Sequence, residues 1–187
     1  MNVLILHGSY GKPFENWFPW LENQLSSLGI ECIIPTFPTP KYQRYSDWAA
    51  LLDYYYKKGY LNNNTIVIGH SCGAIFSVKY IIERNIHVKG IVTVSGYNNF
   101  KSGDETMDTL NGTFYRTRNG INRIEYLTDI RLSFYSDNDP FIPIDTLEEF
   151  AHDIHAQSII VPNAGHFNAS SGYTTFEKLL NILKDIK

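Results

Sequence analysis

The chain is poor in cysteine: Cys32 and Cys72 are its only two in 187 residues. That excludes a disulfide framework and fits a reducing compartment. Charge of one sign is lacking too, since the formal net charge is −3. No basic or acidic field therefore points to nucleic acid or an anionic membrane as partner. Long apolar runs are missing. The one near the start, Val3-Leu4-Ile5-Leu6, is too short for a signal-peptide core or a membrane span. Also absent are a Walker-type loop, a dinucleotide-binding glycine pattern and a Cys/His set with zinc spacing, so no cofactor and no metal are expected. Repeats, low-complexity tracts and linkers do not occur. A single domain over residues 1–187 in a cytoplasmic setting is the expectation.

What is present is a rhythm. Short apolar runs at 3–6, 31–34, 65–68, 89–94, 131–135 and 158–161 read as strands. Between them lie helix-period segments. Trp17, Trp20, Leu21, Leu25 and Leu28 mark one, and Trp48, Leu51, Leu52 and Tyr55 another. Ala74, Ile75, Val78 and Ile82 share a face, as do Phe176, Leu179, Leu180 and Leu183. Leu147, Phe150, Ala151 and Ile154 repeat the spacing, with Asp145 placed to cap and Glu148 three residues on. Alternating β and α elements predict a three-layer α/β/α sandwich on a mostly parallel sheet of about six strands. Residues 96–129 break the rhythm; a polar stretch of that length predicts a functional lid or a crossover.

The chemistry concentrates in Gly69-His70-Ser71-Cys72-Gly73, a Gly-x-Ser-x-Gly pentapeptide. The bare pattern arises by chance in roughly one chain in twenty. Its setting is what gives it weight: a strand candidate feeds it and a helix leaves it, so the serine sits on a sharp strand-to-helix turn. A nucleophilic serine needs a base that exchanges a proton near neutral pH, and histidine is that residue. His166, in Asn163-Ala164-Gly165-His166-Phe167 after the last strand candidate, is the candidate base. His152 and His155 read as surface residues on a helix and its end, His87 as structural, and His70 as a residue that packs beside the nucleophile. An orienting carboxylate should fall between serine and histidine in chain order. Asp137 and Asp139 in Ser136-Asp137-Asn138-Asp139-Pro140 both qualify, and residue physics alone does not separate them.

An acyl-transfer site also needs donors for a developing oxyanion. The backbone N–H of Cys72 opens a helix and is the first. The second is expected from His7-Gly8-Ser9-Tyr10-Gly11, with Ser9 as donor and Tyr10 in reserve. The Cys72 thiol itself is expected to fill core. Phe14, Trp17, Phe114, Tyr115, Phe141 and Phe167 are available to wall an apolar acyl pocket; Tyr10 and Phe167, adjacent to site residues, are the chosen substrate-binding candidates.

Gly-His-Ser-x-Gly-Ala, Asp137-Asn138-Asp139-Pro140-Phe141-Ile142-Pro143 and Gly165-His166-Phe167 resemble the small serine hydrolases of the α/β-hydrolase superfamily, in particular the retinoblastoma-binding protein 9 and YdeN-like group. The resemblance extends to Trp17-Phe18-Pro19-Trp20-Leu21 and Thr36-Phe37-Pro38-Thr39-Pro40, and so over essentially the whole chain. It implies a minimal α/β-hydrolase fold with little or no cap, Ser71 as nucleophile, and Asp139 and His166 as its partners. One departure stands out: Asn138 occupies a position where relatives often carry a second acid, which keeps Asp137 in play. The segment through which a relative binds a pocket protein has no counterpart around residues 59–65, so no protein partner is carried over. The expected activity is cleavage of a small-molecule ester or amide. An acyltransferase or peptidase-like amidase on the same triad, and a non-catalytic binding module of the same fold, are the rivals.

Overall fold

The computed structural model describes residues 1–116 and 118–186; Thr117, inside the 96–129 segment, and Lys187 lie outside the described residues. Among them the strands are β1 (Asn2–Leu6), β2 (Glu31–Ile33), β3 (Thr65–His70), β4 (Val88–Val94), β5 (Thr128–Tyr135) and β6 (Gln157–Ile160). The helices are α1 (Phe18–Ser27), α2 (Tyr45–Lys57), α3 (Cys72–Arg84), α4 (Glu105–Gly112), the single turn α5 (Arg118–Ile121), α6 (Ile144–Asp153) and α7 (Glu177–Ile186).

The strands form one sheet in the order β2-β1-β3-β4-β5-β6, and every neighbouring pair is parallel. A parallel sheet is covered on both faces, which is why its strands read as unbroken apolar runs. Alternation sorts the side chains. Val3, Ile5, Ile66, Ile68, Val92 and Val94 face the core built with α1 and α7. Leu4, Leu6, Val67 and Ile91 face the core built with α2, α3 and α6. Each large core aromatic there, Trp48 and Phe76 among them, resists truncation by about 3–5 kcal/mol.

The expected strands are present with shifted ends. β5 begins three residues early, at polar Thr128, because Thr128 pairs with Val88 in register with β4. One local expectation is corrected. Asp145 does not cap α6; the helix starts at Ile144 behind an extended Pro143, whose φ is −56°. Asp145 falls in the first turn instead, where its charge complements the helix dipole. The 96–129 segment is the crossover from β4 to β5 and carries α4, α5 and a 3₁₀ turn at Asn122–Tyr126. Among the described residues no helix is long and apolar enough to cross a membrane.

Strand order also places the site. The chain runs from β1 outward to β2, then returns past β1 to β3 and continues through β6. Direction reverses between β1 and β3, and in open α/β sheets ligands bind in the crevice at the carboxyl ends of such a pair. Those ends lead into the His7–Gly11 loop and Ser71.

Candidate active site

Ser71 stands between β3 and α3 with φ 55° and ψ −127°. Such a backbone costs an ordinary residue about 1–3 kcal/mol, so the surroundings must hold it. They do so through close approach. A β-carbon on Gly69 would lie 2.5 Å from the Gly73 carbonyl oxygen, and one on Gly8 would lie 2.8 Å from Ser71 Cβ. Glycine at these positions lets β1, the turn and α3 crowd together and leaves the hydroxyl on the cleft. Cys72 is fully buried, and burial pushes its thiol up to about 12, so the thiol packs as expected.

Asp139 and His166 come from the loops that follow β5 and β6, and four consecutive side chains of the first loop hold the second. Ser136 Oγ accepts from Ala164 N–H at 2.9 Å, Asp137 Oδ1 from Asn163 N–H at 2.8 Å, and Asn138 Oδ1 from Gly165 N–H at 2.8 Å. Asp139 Oδ2 accepts from His166 Nδ1 at 2.7 Å. Asp137 is thus spent on the backbone of the histidine loop, and it is Asp139 that meets the imidazole. The Asp139 side chain is fully buried. Burial acts to raise its pKa, but the hydrogen bond and charge of His166 outweigh it, helped by the N–H groups of Phe141 and Ile142 at 2.9 and 3.1 Å. The net effect holds the carboxyl below its usual range. Ser95 Oγ donates to the same Oδ2 at 2.9 Å. A carboxylate only accepts, so Nδ1 carries the imidazole proton and Nε2 of the neutral ring keeps its lone pair.

Two further histidines brace the site. His70 is buried, and its Nε2 donates to the His166 carbonyl at 2.8 Å. Burial first, and the neighbouring His166 second, push its pKa down to about 3, so it is a neutral strut. His7 is fully buried; Nε2 accepts from Phe37 N–H at 3.0 Å while Nδ1 donates to the Gly8 carbonyl at 2.9 Å. Its pKa is likewise lowered by burial. His87 and His152 are exposed, and exposed His155 pairs with Glu125 at 2.6 Å.

Ser71, His166 and the Ser9–Tyr10 loop line one cleft of about 520 Å³. Tyr10 N–H donates to Thr39 Oγ1 at 2.8 Å, whereas no acceptor for the N–H of Ser9 or Cys72 occurs among the described residues. These two backbone donors are open. Tyr10 lines the cleft and is 44% exposed. Phe167 is corrected. It is fully buried, stacked on Phe176 at 5.3 Å, and forms no part of the cleft wall. The reason is its left-handed backbone, φ 51°, which turns the ring away from the cleft that His166 faces. Of the six aromatics available as walls, only Tyr115 and Phe141 line it; Trp17 and Phe114 are core, and Phe14 is 77% exposed elsewhere. Phe141 lies edge-on to the His166 ring at 5.1 Å.

Sequence reasoning missed Ser95, Tyr97, Phe100, Met107 and Asn111. Ser95 and Tyr97 directly follow β4, whose carboxyl end adjoins that of β3, so the rule that nominated Ser71 could have nominated them. Met107 and Asn111 sit on α4, which carries no pattern pointing to the cleft. Among the described residues no group of three or more His, Cys, Asp or Glu side chains is arranged to hold a metal ion.

Comparison with known proteins supplies the relationship. The rat protein Serine hydrolase RBBP9 is 28% identical over 171 residues, spanning 91% of this chain and 86% of its own. YdeN of Bacillus subtilis is 25% identical over 183 residues, 97% of this chain and 93% of YdeN. The YdeN crystal structure superposes with a TM-score of 0.88 at 24% identity, covering 99% of this chain and 97% of that one. Est1E from Butyrivibrio proteoclasticus shares the fold at a TM-score of 0.71 and 13% identity, covering 99% and 87%. The model of the serine hydrolase family matches residues 3–185, and the chain belongs to that family.

Proposed function

We propose that the protein cleaves a small carboxylic ester, or an amide of similar size, through an acyl-enzyme intermediate on Ser71. The observation that carries this reading is the 2.7 Å Asp139–His166 hydrogen bond, made beside the cleft onto which Ser71 is held in a strained turn. Ser71 Oγ attacks the substrate carbonyl carbon as His166 Nε2 takes the hydroxyl proton. The carbonyl electron pair moves onto oxygen, and the N–H groups of Ser9 and Cys72 receive that charge. Asp139 stabilises the imidazolium without taking its proton. His166 then protonates the departing alcohol or amine as its bond to carbon breaks. Water enters, gives a proton to Nε2 and forms the new C–O bond. The Ser71–acyl bond breaks and the proton returns to Oγ, leaving a carboxylic acid and an unchanged enzyme. Every proton removed is returned, so the cycle calls for neither metal nor organic cofactor. A small-molecule substrate is the only partner this reading calls for; it invokes no nucleic acid, membrane or protein.

A cytoplasmic setting belongs to the same proposal, supported by two free cysteines whose thiols burial pushes up to about 12. The test is pre-steady-state hydrolysis of p-nitrophenyl esters of graded chain length. The expected result is a burst of nitrophenol approaching one equivalent per enzyme on the preferred ester, absent in Ser71→Ala. No turnover of esters or aminoacyl amides by the folded protein would contradict it.

A further inference from the structure

Behind the Ser9 loop lies a buried polar chain that the reaction above does not use. Tyr10 N–H donates to Thr39 Oγ1, which donates to Gln43 Oε1. Gln43 Nε2 donates to Ser9 Oγ at 2.9 Å and to Asn111 Oδ1 at 2.8 Å, and Ser9 Oγ donates to Asn111 Oδ1 at 2.6 Å. Asn111 Nδ2 donates to Tyr97 Oη at 3.1 Å. Gln43, Asn111 and Tyr97 are 0%, 4% and 3% exposed, yet each polar atom named has a partner. The chain crosses four segments: the loop after β1, the stretch before α2, helix α4 and the loop after β4.

Its polarity is what matters. With the two amides in these orientations every donor points the same way, from the backbone of Tyr10 towards Tyr97. The phenol accepts from Asn111, so its own proton is left for another acceptor. Ser9, Ser71, Tyr97 and Asn111 all line the same cleft. Tyr97 therefore offers an O–H donor to the cleft that holds Ser71. The same chain ties up the Tyr10 N–H and leaves that of Ser9 open.

Resting on the acyl-enzyme reading above, we infer that the Tyr97 hydroxyl is a third donor to the oxyanion formed at Ser71, aimed by the Thr39–Gln43–Asn111 chain. In the tetrahedral intermediate it donates to the charged oxygen formed beside Ser71 Oγ. No proton is transferred and no bond changes; the phenol stabilises charge. Thr39, Gln43 and Asn111 are positioning residues that set which way the phenol points.

The test separates aim from packing. Tyr97→Phe keeps the ring and removes one oxygen; kcat on the preferred ester should fall roughly 10- to 100-fold with KM within about twofold. Affinity for a boronic acid that mimics the tetrahedral adduct should fall in proportion. Asn111→Asp keeps the ring untouched but replaces the donor facing Tyr97 with an acceptor, which draws the phenol proton away. It should reproduce the Tyr97→Phe loss, and the double variant should lose no more than either alone. Retained kcat in Tyr97→Phe, or losses that simply add in the double variant, would overturn the inference. Thermal melts establish that each variant is folded. If wild-type Ser71 forms no acyl-enzyme, the underlying reading fails; if it does and Tyr97→Phe is unaffected, only this inference fails.

Discussion

The two walls of the cleft are built in opposite ways. On one side, residues 136–139 and 163–166 are joined side chain to backbone or side chain at four successive positions, ending in the 2.7 Å Asp139–His166 bond. On the other, the crossover between β4 and β5 is a series of short helices that contributes Tyr97, Phe100, Met107 and Asn111 to the cleft. The first wall is over-determined and fixes the acid–base pair of the proposed reaction. The second is held by its own network, Asn98 with Arg116, Tyr115 with Phe100, and Asn111 with Ser9, Gln43 and Tyr97, and shapes the space in front of that pair. In the proposed account acid–base chemistry belongs to the first wall, while the second sets substrate choice and lends one oxyanion donor through Tyr97, a division that can be broken experimentally.

The largest effect should come from the reacting side. Ser71→Ala should lower kcat roughly a millionfold relative to wild type in steady-state assays with p-nitrophenyl esters. Next, Asp139→Asn should cost roughly 10⁴-fold, because an amide no longer enforces the Nδ1–H tautomer. Asp137→Asn, whose carbonyl still accepts from Asn163 N–H, should stay within about twofold. Equal losses in the two asparagine variants would erase the distinction between the carboxylates. On the crossover side, Met107→Trp should shift preference between short and long acyl chains by roughly 10-fold or more, read as the ratio of kcat/KM across the ester series. It should leave the burst on the best ester intact. Loss of the burst there would mean that the crossover's share in the chemistry extends beyond Tyr97 to Met107.

The smallest effect concerns stability. His70 titrates near 3 in the fold against 6.5 for the free side chain. Its folded value is depressed, so the unfolded chain binds the proton first, and stability is lost as pH falls from 6.5 towards 3. The slope approaches about 1.4 kcal/mol per pH unit for one such group. Melting temperature should therefore drop on acidification, and more gently in His70→Gln. A residual slope remains from His7, which burial also holds down. An unchanged pH profile in His70→Gln would remove His70 as the source.

How legible each wall was in the sequence follows the same division. The strands were readable because both faces of a parallel sheet are apolar, and β3 feeding Gly69–Gly73 placed Ser71 at once. His166 followed from its position after the last strand. Asp139 and Asp137 were not separable from residue chemistry, since two carboxylates in one loop differ only in what each meets; Asn163 N–H and His166 Nδ1 decide it. Phe167 failed because adjacency to a site residue does not say which way a ring points, and its left-handed φ of 51° reverses it. Tyr97 and Asn111 were hidden for a different reason. Their meaning lies in bonds across 14 to 102 residues, which no local period reveals.

The most direct test of the central claim is intact-protein mass spectrometry after exposure to a fluorophosphonate, comparing wild type with Ser71→Ala. The account predicts a single phosphonyl adduct on the wild type, mapping to Ser71, and none on the variant. An unmodified wild type, or an adduct that persists in Ser71→Ala, would contradict it.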